Sequence, residues 1–250
     1  MPAVRSIILK KQDRGEADEL VKFFSLELGW LTGVAKNAKK SRIRFGGHLE
    51  PLSLVDMTLR ARKKDDMVWI DESQVIRGFM AIRNDIGKLA RAAYFLELAS
   101  VFIPEGQPDE AVFAFELDFL ETLEEAELNP FLLLREEMLL LGLLGYAPRF
   151  DLCPACGKVI ESGQDALFSV SLGGACHPAC LSRGEEKRLV LSPDTLAVVR
   201  RGLKVDRDLA HRLRLHRKGI VELRQVLSAF VRYLRGEQIN SLLFLETMGL

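Results

Sequence analysis

The chain carries no P-loop, no GxGxxG fingerprint on a strand, no G-x-S-x-G elbow and no H-E-x-x-H pair. Nucleotide cradles, dinucleotide sites, α/β-hydrolase chemistry and zincin-type proteolysis thereby lose their usual carriers. Histidine is scarce, with four widely scattered copies, so a hydrolytic constellation is hard to assemble. The longest apolar run, Met138 to Leu144, falls far short of the ~18 residues a membrane span needs. Met1-Pro2-Ala3-Val4-Arg5 leads into no apolar signal core, so no export is expected. No repeat and no low-complexity segment is present. One triplet, His48-Leu49-Glu50, imitates the first half of a zinc-deaminase signature. Proline follows the first cysteine instead of preceding it, and the two halves lie about a hundred residues apart. The triplet reads as coincidence.

Cysteine is sparse too, but its distribution is informative. All four copies fall in Cys153-Pro154-Ala155-Cys156 and Cys176-His177-Pro178-Ala179-Cys180. This C-x2-C and C-x3-C array, nineteen residues apart, suits a tetrahedral zinc ion with each cluster supplying two corners. The expected ligands are Cys153, Cys156, Cys176 and Cys180 around one structural Zn²⁺. His177 is left exposed or just outside the ligands, or else replaces Cys180. Four protein ligands close the coordination sphere, whereas a catalytic zinc keeps a position for water. Reduced, metal-bound cysteines without an export signal imply a cytoplasmic protein.

At 250 residues the chain exceeds the common domain size of about 100–150 residues, so more than one domain is expected. Its formal net charge of 0 conceals a gradient. Residues 1–80 hold 15 Lys and Arg against 11 Asp and Glu, a balance of +4; residues 81–152 hold 5 against 14, or −9; residues 153–250 hold 15 against 10, or +5. Two basic ends around an acidic middle point to a polyanionic partner.

Residues 1–80 read as short strands: Val4–Lys10, Leu20–Leu28 and Trp30–Ala35 around a Gly29 hairpin, Leu52–Leu59 with a one-residue slip, and Met67–Ile70 after the charged turn Lys63–Asp66. Five strands suit a small closed barrel, an OB-fold or an SH3-like one. Within it, Lys36, Lys39, Lys40, Arg42 and Arg44 crowd into nine residues without an acid. The run is either a solvated loop or a phosphate-tracking one, with Trp30, Phe45 and Trp69 as candidate base-stacking partners or as core.

From about residue 80 the period turns helical. Asn84 and Asp109 are candidate N-caps, and Asn129-Pro130 opens an almost wholly apolar helix that Gly145 ends. Glu121, Glu124, Glu125, Glu127, Glu136 and Glu137 read as a solvated face. Beyond the cysteine excursion and Gly184, Ser192-Pro193 opens another helix, and residues 219–235 form one with Phe230 in its buried stripe. Between Arg200 and Arg235, eleven cations face three acids. Arg200, Arg201 and Arg217 are candidates for a second basic, polyanion-binding surface, or pair with the acidic middle. The fold class is therefore α+β: a small N-terminal barrel (1–80), a helical domain in two parts (81–152 and 184–250), and an inserted four-cysteine zinc module (153–183).

This order of parts resembles the RecO family of bacterial recombination mediators. The resemblance covers nearly the full length and rests on Leu31-Thr32-Gly33-Val34-Ala35-Lys36-Asn37-Ala38-Lys39-Lys40, on Gly145-Tyr146-Ala147-Pro148 before the first cysteine pair, and on Phe230 to Arg235. It implies that the N-terminal barrel is an OB-fold, and a non-catalytic protein of the bacterial nucleoid that binds single- and double-stranded DNA and anneals complementary strands. With RecR, such a protein helps RecA displace single-strand-binding protein. That protein's acidic C-terminal tail is expected near Arg200 or Arg217. The resemblance assigns Lys36, Lys39, Lys40, Arg42 and Arg44 to the basic barrel segment and the four cysteines to zinc. Asn37 departs from the family's usual glycine, a change asparagine accommodates because it tolerates left-handed backbone. The alternatives are a zinc-ribbon protein scaffold without DNA affinity, and a zinc-dependent nucleic-acid hydrolase or deaminase.

Overall fold

Val4, Ser6 and Ile8 are buried while Arg5 stays exposed, the alternation of a strand, although Ile7 on the opposite face is buried too. The computed structural model, which describes residues 3–61, 67–181, 189–236 and 239–249, makes this strand β1 (Ala3–Arg14). It is followed by β2 (Asp18–Ser25), β3 (Gly29–Ala35), β4 (Leu54–Ala61) and β5 (Val68–Arg77). The charged turn Lys63–Asp66 and Gly184 lie outside the described residues. The strands close a barrel in the order β1-β2-β3-β5-β4, with β1 antiparallel to β4 and β3 parallel to β5. It is the small closed barrel that the strand pattern implies, OB-like as the family resemblance has it. The slip in β4 is present as register shifts against β5 at Leu54/Val55 and Thr58/Leu59. Ile8, Val21, Phe23, Val55, Met57 and Ile70 fill the interior. Ala38, Phe45 and Leu49, from the β3–β4 connection, join the same core.

The chain divides into two compact units, Met1–Ala126 with Ile239–Leu250, and Glu127–Gln238. In the first, the barrel shares its unit with α1 (Met80–Asn84), α2 (Ile86–Phe102), α3 (Glu110–Glu125) and, from the C-terminus, a nine-residue helix, Asn240–Met248. The cap of α2 is Asp85, whose carboxylate accepts the Lys88 N–H at 2.9 Å; Asn84 is the last residue of α1. Asp109 caps α3 as its sequence context implies, accepting from Val112 at 3.0 Å. Gly29 adopts φ +72°, and a Cβ there would collide with the Gln107 carbonyl oxygen. Only glycine permits the α2–α3 loop to approach so closely, and beside it Gly106 donates to the Trp30 carbonyl at 2.9 Å.

The second unit is built on α4 (Pro130–Leu143), started by Asn129, which accepts from Leu132 at 2.9 Å, with Pro130 at the first helical position. Around it lies a three-stranded sheet in the order β7-β6-β8, from β6 (Ala166–Ser169), β7 (Gly174–Cys176) and β8 (Leu189–Leu191). Helices α5 (Pro193–Gly202), α6 (Arg207–Arg212) and α7 (Arg217–Arg235) complete the unit; the helix Asn240–Met248 of the first unit is thus α8. Because α4 is enclosed nearly all round, Glu136 and Glu137 are buried rather than solvated. Arg135 and Arg207 pair with Glu136 at 2.7 and 3.0 Å, and Arg224 pairs with Glu137 at 2.7 Å. Burying charge is tolerable only with such partners. Glu121 and Glu125 remain partly or fully exposed and pair with Arg77, while Glu124 accepts the Ala81 and Ile82 N–H groups that open α1. Among the described residues no helix is long and apolar enough to cross a membrane.

Candidate metal centre and nucleic-acid interface

The first cysteine pair sits on a tight turn. Gly157, at φ +72°, donates to the Cys153 carbonyl at 2.8 Å, and Cys153 donates to the Lys158 carbonyl at 2.9 Å. The second pair follows β7 into a 3-10 turn, Pro178–Cys180, in which Cys180 donates to the His177 carbonyl at 2.9 Å. These turns bring the ligand atoms of Cys153, Cys156, His177 and Cys180 within 4.8 Å of one another. His177 Nδ1 lies 3.5 Å from Cys156 Sγ and 3.8 Å from Cys180 Sγ, while its Nε2 lies 3.1 Å from the Val159 carbonyl oxygen. A carbonyl can only accept, so the ring proton belongs on Nε2 and the Nδ1 lone pair faces the sulfurs.

The set gathered here differs at one position from the four sulfurs that the spacing implies. Cys176, at the end of β7, is not one of the four, although its sulfur lies against that of Cys153 and near that of Cys180. Its thiol donates to the Gly174 carbonyl at 3.7 Å. Burial pushes that thiol up to about 12, aided by the neighbouring Cys153 sulfur. Cys153 behaves oppositely. Burial resists its ionisation, but the backbone N–H groups of His177, Cys156 and Ala155 aimed at its sulfur bring it down to about 6. Cys180 is raised to about 11, first by its hydrogen bond with Cys156 and then by burial. Three sulfurs and one imidazole, with the imidazole oriented by a backbone carbonyl, are a donor set that could hold a metal ion.

The cysteine module is tied to its unit by an aromatic chain, Phe150 to Phe168 to Phe230, with ring centroids 5.8 and 5.5 Å apart. Arg200 reinforces the tie: its guanidinium donates to the Phe150 and Ile160 carbonyls at 2.9 and 3.1 Å. Arg201 and Arg217 are exposed, Arg217 as the first residue of α7, and neither has an ion-pair partner among the described residues. Arg201 and Arg212 flank a cleft of about 350 Å³ floored by Val205, Leu209 and Leu213.

On the barrel, the basic run forms the β3–β4 connection. Asn37 adopts φ +54°, the left-handed geometry a glycine would supply, and its N–H donates to Asp18 at 2.9 Å. Arg44 braces the loop from within: its guanidinium donates to the Lys36 carbonyl at 3.0 Å, the Asp71 carbonyl at 3.4 Å and the Ser41 hydroxyl at 3.3 Å. Lys39 pairs with Asp13 at 2.9 Å. Lys36 lies over the half-buried Trp69 ring, 4.5 Å from its centroid. Lys40 and Arg42 are exposed and have no acidic partner among the described residues. Of the candidate stacking rings, Trp30 is fully buried against Phe24 and Phe45 belongs to the barrel core, which leaves Trp69 at the surface. His48 and Glu50 are engaged within the barrel, His48 with the Ser73 carbonyl at 2.6 Å and Glu50 with Lys11.

Residues 1–79 match the model for the family described as recombination protein O N terminal, and residues 83–243 match recombination protein O C terminal. The chain is similar to the DNA repair protein RecO of Anaeromyxobacter dehalogenans (strain 2CP-C), 32% identical over 243 residues, covering 97% of this chain and 95% of the relative. It is likewise similar to that of Myxococcus xanthus (strain DK1622), 31% identical over 247 residues, covering 98% and 97%. The protein of Syntrophus aciditrophicus (strain SB) is 28% identical over 240 residues, covering 96% and 93%.

Proposed function

The chain belongs to the RecO family, whose members' name places them in DNA repair, and on that footing we propose that it is a non-catalytic DNA-binding mediator of recombination. The observation that carries the reading is the braced basic loop, whose Lys40 and Arg42 are committed to no acid among the described residues. Such cations displace the counterions condensed on phosphates, and that release drives association. Two strands held against cationic surfaces repel each other less, so they anneal without a chemical step. Trp69, half-buried under Lys36, places an aromatic ring beside the same loop. Lys36, Lys39, Lys40 and Arg42 supply charge in this reading, while Arg44 positions the loop.

One Zn²⁺ held by Cys153, Cys156, His177 and Cys180 suits the donor set, and it would cross-link the cysteine module rather than react. With four side chains around the ion there is no reserved water position, which disfavours the hydrolase and deaminase alternatives. Partner proteins follow from the family: RecR, RecA indirectly, and the acidic tail of single-strand-binding protein. Arg200 is occupied by carbonyls, so an acidic tail is better suited to the cleft between Arg201 and Arg212 or to the exposed Arg217 than to Arg200 itself.

Annealing of complementary oligonucleotides, followed with wild type and with Lys36/Lys39/Lys40→Ala, tests the reading. The variant is expected to anneal at least several-fold more slowly and to bind single strands more weakly at the same salt. Equal rates and affinities would remove the loop from the function, and absence of any DNA affinity at low salt would favour a protein-binding scaffold.

A further inference from the structure

Ile43 is 95% exposed, whereas the next most exposed large apolar side chain among the described residues, Met80, is at 59%. A single exposed isoleucine is ordinarily unremarked, but its setting is particular. It sits in the basic run between Arg42, which is free of acids among the described residues, and Arg44, which is braced to three groups of its own unit. Phe45, two residues along, is plugged into the barrel core at 2% exposure. The Ser41 N–H donates to the Asn37 carbonyl at 3.0 Å, and the Phe45 N–H to the Ser41 carbonyl at 3.2 Å. The loop therefore holds an apolar side chain outward from a fixed base, with cations beside it. Without an occupant, that side chain keeps nearly its full surface in water.

We propose that Ile43 is a wedge that enters between adjacent stacked bases of a single strand held by Lys40 and Arg42. The inference rests on the DNA-binding reading above and deepens it. Apolar side chains inserted at a base step unstack it at a cost that charge contacts to the flanking phosphates offset. The wedge reads no sequence, because it meets ring faces and not base edges.

The test uses a single-stranded deoxyadenosine tract carrying one 2-aminopurine, whose emission rises when it is unstacked, with anisotropy of a terminal dye reporting binding. Wild type is expected to raise the emission at saturation. Ile43→Ala is expected to lose most of that rise while its affinity falls by less than about ten-fold, because phosphate contacts supply most of the binding. Ile43→Phe is expected to restore the rise. A side chain so exposed contributes little packing to lose, so the thermal melts of the three proteins should coincide. An undiminished rise with Ile43→Ala overturns the wedge, as does a wild type that binds without any rise; both outcomes leave the DNA-binding reading standing. Failure of wild type to bind the strand at low salt overturns the reading and the wedge together.

Discussion

His177 and Cys176 are chain neighbours with opposite tasks. His177 turns Nδ1 toward two sulfurs and anchors Nε2 on the Val159 carbonyl, while Cys176 stays a buried thiol. Cys176→Ser is therefore expected to keep about one metal ion per chain. His177→Ala should weaken metal binding by more than the ~10- to 100-fold that loss of an outer partner costs; competition against a chromogenic chelator measures both. Equal losses in the two variants would return Cys176 to the ligand set. A second residue with a measurable signature is Glu116, fully buried on α3 with neither oxygen hydrogen-bonded among the described residues. Burial raises its carboxyl from 4.5 to about 8. Below pH 4.5 both folded and unfolded chains keep the proton. From there to about pH 8 the unfolded chain releases it and the folded chain retains it, so this group erodes stability as pH rises. Glu116→Gln should gain on wild type between about pH 5 and 8, by at most about 1.4 kcal/mol per pH unit. Urea unfolding at the two pH values reads the difference, and a gap that does not widen with pH would contradict it.

At the scale of elements, α4 carries the largest buried electrostatic commitment. Arg224→Met would leave Glu137 buried without its 2.7 Å partner, an expected loss of about 3–5 kcal/mol, whereas Arg224→Met with Glu137→Met should recover most of it. Denaturant midpoints of the single and double variants decide the matter. Gly29→Ala should also destabilise, since it combines positive φ with an impossible contact at the Gln107 carbonyl. The start of α4 is legible from Asn129-Pro130 because capping chemistry is local. So is the barrel, because strand alternation, the Gly29 hairpin and the slip in β4 are all short-range patterns. The surroundings of Glu136 and Glu137 are not, because Arg207 and Arg224, which hold them, come from 71 and 87 residues further along the chain. The cap of α2 is displaced by one residue because the five-residue α1 uses Asn84 first. At the metal centre, spacing locates the site and chooses the turn, but C-x3-C with an internal histidine cannot say which of two adjacent side chains completes the set of four.

For the whole molecule, a net charge of 0 says little, because cations are sorted by what they touch. Arg135, Arg207 and Arg224 neutralise buried acids, Arg200 and Arg44 hold backbone carbonyls, and Lys40 and Arg42 on the barrel meet no acid among the described residues. A cluster of unpaired cations on a closed barrel is the feature from which DNA affinity is argued, and salt reports on it directly. The decisive measurement is the slope of log affinity for a single-stranded oligonucleotide against log salt concentration, for wild type and for Lys40→Ala/Arg42→Ala. Each phosphate contact on a single strand contributes about 0.7 to that slope, so the double variant should be shallower by about 1.4. An unchanged slope, with wild-type affinity throughout, would contradict the central claim that these two side chains grip the sugar–phosphate chain.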